Sequence, residues 1–278
     1  MDRLLEFSGV SYAYEEGREA LKNLSVAIRK GEKIAVLGEN GAGKSTFFLL
    51  CNGVLAPKSG EIRYNGEPVG KSRKDKMKLR QKVGIVFQEP DRQILAATVA
   101  EEISFGPLNL GLSREEAANR VEEALSRMNL TEYRDRPPHY LSGGEKKRVT
   151  IADILAMKPE ILLFDEPASS LDPANAALLE QTLQTLGQEG MTLVISTHDV
   201  NFAWKWAERA LVFSQGELIA DGPPETIFAD HALLEKAGLK KPLLFEAGEI
   251  LRQAHPQENI PIPRSIEQFR EWAERTIS

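Results

Sequence analysis

Apolar positions along the chain change period twice. In the first sixty residues they alternate: Val10, Tyr12 and Tyr14 are separated by single small residues, and Leu24 to Ile28 is a second alternating run closed by Lys30-Gly31. Period-two alternation predicts half-buried strands. Lys33 to Leu37 is a short apolar run that feeds a glycine-rich loop, and Lys44 to about Gly53 then reads as a helix. Asn65-Gly66, after Glu61 to Tyr64, is a hairpin-type turn.

The middle of the chain has a helical period. Ser113 with Glu116 three residues on has the capping-box form, and Ala117, Val121, Leu125 and Met128 follow at helical spacing. A further helix is expected from Gly143 to about Met157, so residues 92–157 read as a mostly helical insert. Strands and helices then alternate: Ile161 to Phe164, a helix over Pro173 to Leu186, Thr192 to Ser196, a helix over Val200 to Glu208, and a hairpin of Ala210 to Ser214 with Glu217 to Ala220. That order predicts an α/β core with parallel strands. From about Pro223 the chain is proline-interrupted and forms short helical pieces. Ser265 to Gln268 is another capping box, and Ile266, Phe269, Trp272, Ala273 and Ile277 form an apolar stripe expected to dock on a core of the tail's own. The division is thus residues 1–222 for the main domain and 223–278 for a C-terminal extension.

Composition narrows this picture. With 278 residues, 42% hydrophobic and 27% charged, the chain can bury a sizeable core. The net charge of -6 argues against a nucleic-acid partner. The single cysteine, Cys51, leaves no internal disulfide, fits a reducing cytosol, and reads as a small buried hydrophobe. No secretory signal shape is present at the N-terminus, and no apolar run approaches the roughly 20 residues a membrane helix needs. If the chain serves a membrane, other chains supply the membrane part.

The chemistry concentrates in a few segments. Gly38-Glu39-Asn40-Gly41-Ala42-Gly43-Lys44-Ser45 fits G-x-x-x-x-G-K-[ST], after a strand and opening a helix. Glycines let backbone N–H groups converge on phosphate oxygens, the helix start adds positive potential, Lys44 supplies a compact cation, and Ser45 suits Mg²⁺. Ile161 to Phe164 ends in Asp165 and Glu166, one placed for Mg²⁺ through water and the other to polarise an attacking water. Leu141-Ser142-Gly143-Gly144-Glu145 opens a second helix with a serine and two glycines, a second anion cradle. One chain has no use for two cradles on one ATP, so the simplest role is to complete another chain's site. Gln88 and His198 each end an apolar run, where a satisfied structural residue is the commoner outcome.

Taken together and in this order, these segments resemble the nucleotide-binding subunits of ABC transporters over roughly Leu4 to Pro223. The resemblance implies a P-loop ATPase core with an antiparallel β subdomain, a helical subdomain and a small C-terminal extension, and it implies ATP and Mg²⁺ as ligands. It makes Gly38 to Ser45, with Thr46, the Walker A loop, and Leu162 to Asp165 the Walker B strand with Glu166 as base. It makes Gln88 the Q-loop residue, which also meets Mg²⁺, and Leu141 to Glu145 the signature motif, with Glu145 where many members have glutamine. Ser170 to Asp172 becomes the D-loop, His198 the switch histidine, and Tyr14, ahead of Tyr12, the aromatic on adenine. Gln88 to Gln93, Thr98-Val99 and Phe105 to Leu112 resemble the energy-coupling factor group, importers of vitamins and transition-metal ions. Gly43 to Gly53 with Leu55-Ala56-Pro57 looks closer to its cobalt and nickel members.

The expected arrangement is a pair of such chains, head to tail, at the cytoplasmic face of a membrane. Each ATP lies between one chain's Walker A loop and the other's Ser142, Gly143 and Gly144. Lys44, Glu166 and His198 serve hydrolysis. A groove after Gln88 grips a helix of a transmembrane subunit, with Asp91, Glu101 or Glu102 meeting its basic residues. The basic run Lys71 to Lys82 is expected as a solvated charged loop, ahead of a contact with acidic lipid heads near the membrane.

Overall fold

The computed structural model describes residues 2–15, 17, 19–70, 72–169, 171–256 and 261–277, the side chains of 275–277 excepted. The chain opens with β1 (Arg3–Ala13), β2 (Glu19–Arg29), β3 (Lys33–Leu37), α1 (Lys44–Cys51), β4 (Ser59–Tyr64), β5 (Glu67–Pro68), α2 (Arg73–Lys82) and β6 (Val83–Val86). Three helices follow, α3 (Val99–Asn109), α4 (Arg114–Arg127) and α5 (Gly143–Ala156). Then come β7 (Ile161–Asp165), α6 (Pro173–Gln188), β8 (Thr192–Ser196), α7 (Val200–Trp206), β9 (Arg209–Ser214) and β10 (Glu217–Gly222). The tail carries α8 (Pro224–Ala229), α9 (His231–Ala237), α10 (Leu243–Ala254) and α11 (Ile266–Ile277).

These strands make two sheets. One is antiparallel, in the order β2-β1-β4-β5; the other runs β10-β9-β3-β8-β7-β6. In the second, all neighbours are parallel except β10, which returns antiparallel beside β9. β6, β7 and β8 are apolar almost throughout because helices cover both faces of the sheet. α1 lies between the two sheets, which is why it is apolar on nearly every side. The Phe47 ring sits 5.2 Å from Phe7 of β1 and 5.4 Å from Phe213 of β9. Cys51, on the same helix, is fully enclosed, and burial pushes its thiol pKa well up, so it acts as packing.

The helical segment packs Ile103, Val121, Leu125 and Val149 into one core with β6 and β7. Thr98 caps α3 and Ser142 caps α5, each in a complete capping box with the glutamate three residues on. Close approach is needed where α5 crosses β6: a Cβ on Gly84 would stand 2.2 Å from the Ile154 side chain.

Two expectations are corrected. The basic run is a helix, α2, for the described residues after Lys71. Ser72 accepts from the Asp75 N–H and so caps it, and Leu79 anchors it in the core. One buried leucine among nine mostly charged positions leaves no periodic signal to read. The tail's α8, α9 and α10 also share the main domain's core, while α11 packs on α10, where the Trp272 ring lies 5.7 Å from His255. Trp204 of α7, 1% exposed, meets Phe245 of α10 edge-on at 4.9 Å and Phe228 of α8 at 6.3 Å. Its indole N–H donates to Pro263 O at 2.8 Å, and the Arg264 guanidinium lies 4.7 Å from the ring centre. The tail therefore closes over the main domain. Of its apolar stripe, Phe269, Trp272 and Ala273 are half-buried, Ile266 is exposed, and the Ile277 side chain lies outside the described residues.

Trp204→Ala is expected to lower the unfolding free energy by about 3–5 kcal/mol, because it empties the seam between tail and core. A urea titration checks this through a lower midpoint.

Candidate active site

The parallel strands deliver their polar residues to one edge. Asp165 is the last residue of β7, Lys44 follows β3 by one loop, and Gln88 and His198 come two residues after β6 and β8. At that edge lies a cleft of about 570 Å³, lined by Tyr14, residues 39–46, Gln88, Asp165 and Glu166, with Glu19, Ala20, Ser214 and Gln215. Its size suits a nucleotide.

The loop after β3 can be built only with glycine at its ends. Gly38 has φ +138°, and a Cβ there would be 2.2 Å from Phe213 O; Gly43 has φ +111°, with Ala20 O at 2.7 Å. Ala42 is buried beneath the loop, while Glu39, Asn40 and Gly41 are exposed at its crest. Lys44 is buried, and its ammonium donates to Gly38 O at 2.6 Å and Glu39 O at 3.1 Å. Burial pushes the Lys44 pKa down against the opposing pull of Glu166 and Asp165.

Ser45 Oγ donates to Asp165 Oδ2 at 2.9 Å, and Ser196 Oγ donates to Asp165 Oδ1 at 2.5 Å. Glu166 has φ +45°, a left-handed conformation that is strained for a non-glycine residue. Its N–H is held by Ser196, from both Oγ and the carbonyl at 3.1 Å. Glu166 Oε2 lies 2.8 Å from His198 Nδ1, while Oε1 is buried with no hydrogen-bond partner. A neutral His198 therefore carries its proton on Nδ1. The hydroxyl and carboxylate oxygens of Ser45 and Asp165, with an unpaired buried carboxylate oxygen beside them, form a hard-oxygen set that fits Mg²⁺ and its waters.

Tyr14 stands at the cleft mouth, its hydroxyl 3.3 Å from Thr46 Oγ1, and Tyr12 packs edge-on behind it at 5.1 Å. Ser142, Gly143, Gly144 and Glu145 do not line this cleft; they form the start of α5, where Ser142 and Gly143 are exposed, Glu145 is half-buried and Gly144 is buried. Glu145 Oε2 accepts from the Ser142 N–H at 2.7 Å, and its pKa is held down first by a hydrogen bond from Tyr133. Its carboxylate is thus turned into its own chain. Asp172 caps α6 on the Asn175 N–H, and the Asn175 amide abuts Gly144, where a Cβ would be 2.0 Å away. Ser170 lies outside the described residues.

Sequence reasoning missed Ser196, Tyr133, Lys147 and Asp153. Ser196 alone left a trace, as the one hydroxyl at the end of an apolar strand beside Thr197 and His198.

A second hollow, about 690 Å³, opens between α2, β6, α3 and α5, with Met77, Leu95, Phe105 and Leu110 among its walls. Leu95 is 82% exposed, the most exposed large apolar side chain among the described residues. The expected acids all have partners within the chain. Glu102 is buried and accepts from the N–H groups of Leu95 and Ala96 at 2.8 and 2.7 Å, Glu101 completes the cap of α3, and Asp91 pairs with Lys146 at 2.7 Å. Asp153 lines the hollow together with Glu102. Burial first, and the Glu102 charge second, push its carboxyl up to about 7.

A parallel sheet of this order with a G-x-x-x-x-G-K-S loop after its central strand defines a P-loop nucleoside triphosphatase. The ABC transporter family profile matches residues 21–169. The chain is 48% identical over 251 residues to the energy-coupling factor transporter ATP-binding protein EcfA of Methanothermobacter thermautotrophicus, covering 90% of this chain and 81% of that one. It is 48% identical over 246 residues to the cobalt import ATP-binding protein CbiO of Rhodobacter capsulatus, covering 88% of each. Its fold matches cbiO1 of Clostridium perfringens, part of the ABC transporter complex cbiONQ, with a TM-score of 0.76, 39% identity, and 91% and 100% of the two chains covered. It also matches a dimeric ATP-binding cassette in a post-hydrolysis state bound to ADP and Pi, with a TM-score of 0.71, 31% identity, and 80% and 99% covered. The chain belongs to the ABC transporter family, as an ATPase of the energy-coupling factor and CbiO type. No helix among the described residues is long and apolar enough to cross a membrane.

Asp153 makes stability depend on pH. Its native carboxyl, raised to about 7, holds a proton that the unfolded chain, with an ordinary pKa of about 3.9, has already lost. That contribution is complete below about pH 4 and is lost as pH rises to about 7. Asp153→Asn is therefore expected to gain about 2–4 kcal/mol over the parent chain between about pH 4 and pH 8. Urea titrations of both proteins at the two pH values measure it.

Proposed function

We propose that this ATPase works as one half of a nucleotide sandwich that powers import through membrane subunits of the energy-coupling factor type, carrying a cobalt or nickel ion. One observation carries the sandwich. Lys44, Ser45, Asp165 and Glu166 are gathered at one cleft, while the second anion cradle, Ser142 to Gly144, stands outside it at the free start of α5. The facing chain, a second copy or a close relative, supplies its own Ser142, Gly143 and Gly144 to this cleft. The dimeric cassette with ADP and Pi supports that arrangement.

The chain's own residues divide the work. The N–H groups of residues 41–46 and the Lys44 ammonium take the phosphates. To do so, Lys44 exchanges the carbonyls of Gly38 and Glu39 for phosphate oxygens. Tyr14 takes the adenine face. Ser45, Gln88 and, through water, Asp165 would hold Mg²⁺, which neutralises phosphate charge when bound. Glu166 Oε1, buried and unpaired, accepts a proton from the attacking water, and His198 fixes the opposite oxygen. The Ser196 contacts hold Glu166 in its strained backbone, aimed at the phosphate end of the cleft.

The apolar hollow is the docking surface for a helix of the membrane subunit. Exposed Leu95 and Phe105 offer it apolar area, and Asp153 offers a buried acid to a cationic side chain. The likeness to the cobalt import protein of Rhodobacter capsulatus supports a metal-ion cargo. Uptake of radiolabelled cobalt or nickel by cells expressing the chain with its co-purifying membrane subunits tests it; uptake of a vitamin alone overturns it.

Glu166→Gln is expected to bind MgATP normally, to hydrolyse it about 10²–10⁴-fold more slowly, and to accumulate as a closed dimer on size-exclusion chromatography. Near-normal turnover would remove Glu166 from its role. Phe105→Asp should abolish co-purification with the membrane subunits while leaving the ATPase activity of the isolated chain within about twofold. Retained assembly would remove the hollow from docking.

A further inference from the structure

Lys147 has no part in the reading above, yet it is the most deeply buried cation among the described residues, at 3% exposed. Its ammonium donates to Phe87 O at 2.9 Å and Gln88 O at 2.7 Å. No carboxylate of the described residues forms an ion pair with it. A buried lysine without a counter-ion is costly, so a leucine or methionine would fill the same space more cheaply. What an apolar side chain cannot do is serve the two carbonyls. Those carbonyls have no other support from the sheet, because the ladder of β6 with β7 ends at Val86 opposite Phe164. They belong to the turn in which the chain leaves the sheet for the helical segment, and Gln88, which faces the cleft, is on that turn.

We propose that Lys147 is a positioning residue for hydrolysis: it clamps the turn carrying Gln88 to the first turns of α5, so that Gln88 and the Ser142–Gly144 cradle keep one fixed relation. Two further contacts share the geometry. Lys146 meets Asp91 farther along the turn, and Gly84 lets β6 lie directly against Ile154 of α5. The Lys146 pair is exposed and contributes little. Lys147 is buried and satisfies backbone groups that no other of the described residues is seen to bond. A helix docked in the neighbouring hollow, which touches both β6 and α5, then moves the glutamine and the cradle together.

The proposal rests on Gln88 serving hydrolysis, so the test separates the two claims. In the full-length chain, Lys147→Met should leave the affinity for a fluorescent ATP analogue without magnesium within about twofold and lower kcat for MgATP about tenfold. Lys147→Arg should restore most of it. In a Gln88→Ala background, Lys147→Met should have less than about a twofold further effect, since both act at one point. Amide exchange at residues 88–92 should speed up about tenfold while α1 stays protected. Unchanged kcat in Lys147→Met, full multiplication of the two effects, or faster exchange spread to α1 overturns the clamp. If Gln88→Ala alone hydrolyses normally, the role of Gln88 fails, and exchange at residues 88–92 alone decides the clamp.

Discussion

The central strands of this protein are buried on both faces, and everything functional follows from that. β3, β7 and β8 run between helical layers, so within the sheet a polar side chain would be stranded in an apolar core. Polar chemistry can begin only where each strand emerges. The strands are parallel and neighbouring, so their emergent residues meet along one edge. Asp165 and Ser196 are register partners at that edge, which is why a serine from β8 can hold both the Asp165 carboxylate and the backbone of Glu166. Burial fixes where the site can be, and the register fixes which groups share it.

Helix α5 connects what would otherwise be separate sites. Its first turn carries Gly143 and Gly144, its second places Lys147 under the Gln88 turn, and its third sets Asp153 in the wall of the apolar hollow. One helix thus holds all three points. The tail takes no part in that line. Trp204 binds it to the main domain through aromatic packing and one indole hydrogen bond.

The parts of the site that could be read from sequence are those whose geometry is local. Gly38 to Ser45 is legible because strand, glycine loop and helix are contiguous, and Gly38 and Gly43 each answer a close approach of backbone from another strand. Asp165 and Glu166 are legible because an apolar run ends in two acids. Glu145 and Asp172 were legible as part of motifs, but their carboxylates are turned to Ser142 and Asn175 of their own chain. The contacts that Asp91 and Glu102 make inside the chain were not legible, for a related reason. An acid's partner comes from another element, Lys146 of α5 in one case and the backbone before α3 in the other.

The sequence by itself determined the order of strands and helices, the phosphate loop, and the two acids, because period and contiguous motif are written along the chain. Only the tertiary structure decided that Ser196 holds Asp165 and Glu166, that Lys147 lies under the Gln88 turn, that the basic run is helical, and that the tail shares one core with the main domain. Those outcomes depend on which distant segments come within hydrogen-bond or packing distance. Such contacts arise from how helices and strands stack, and no local pattern of residues encodes them.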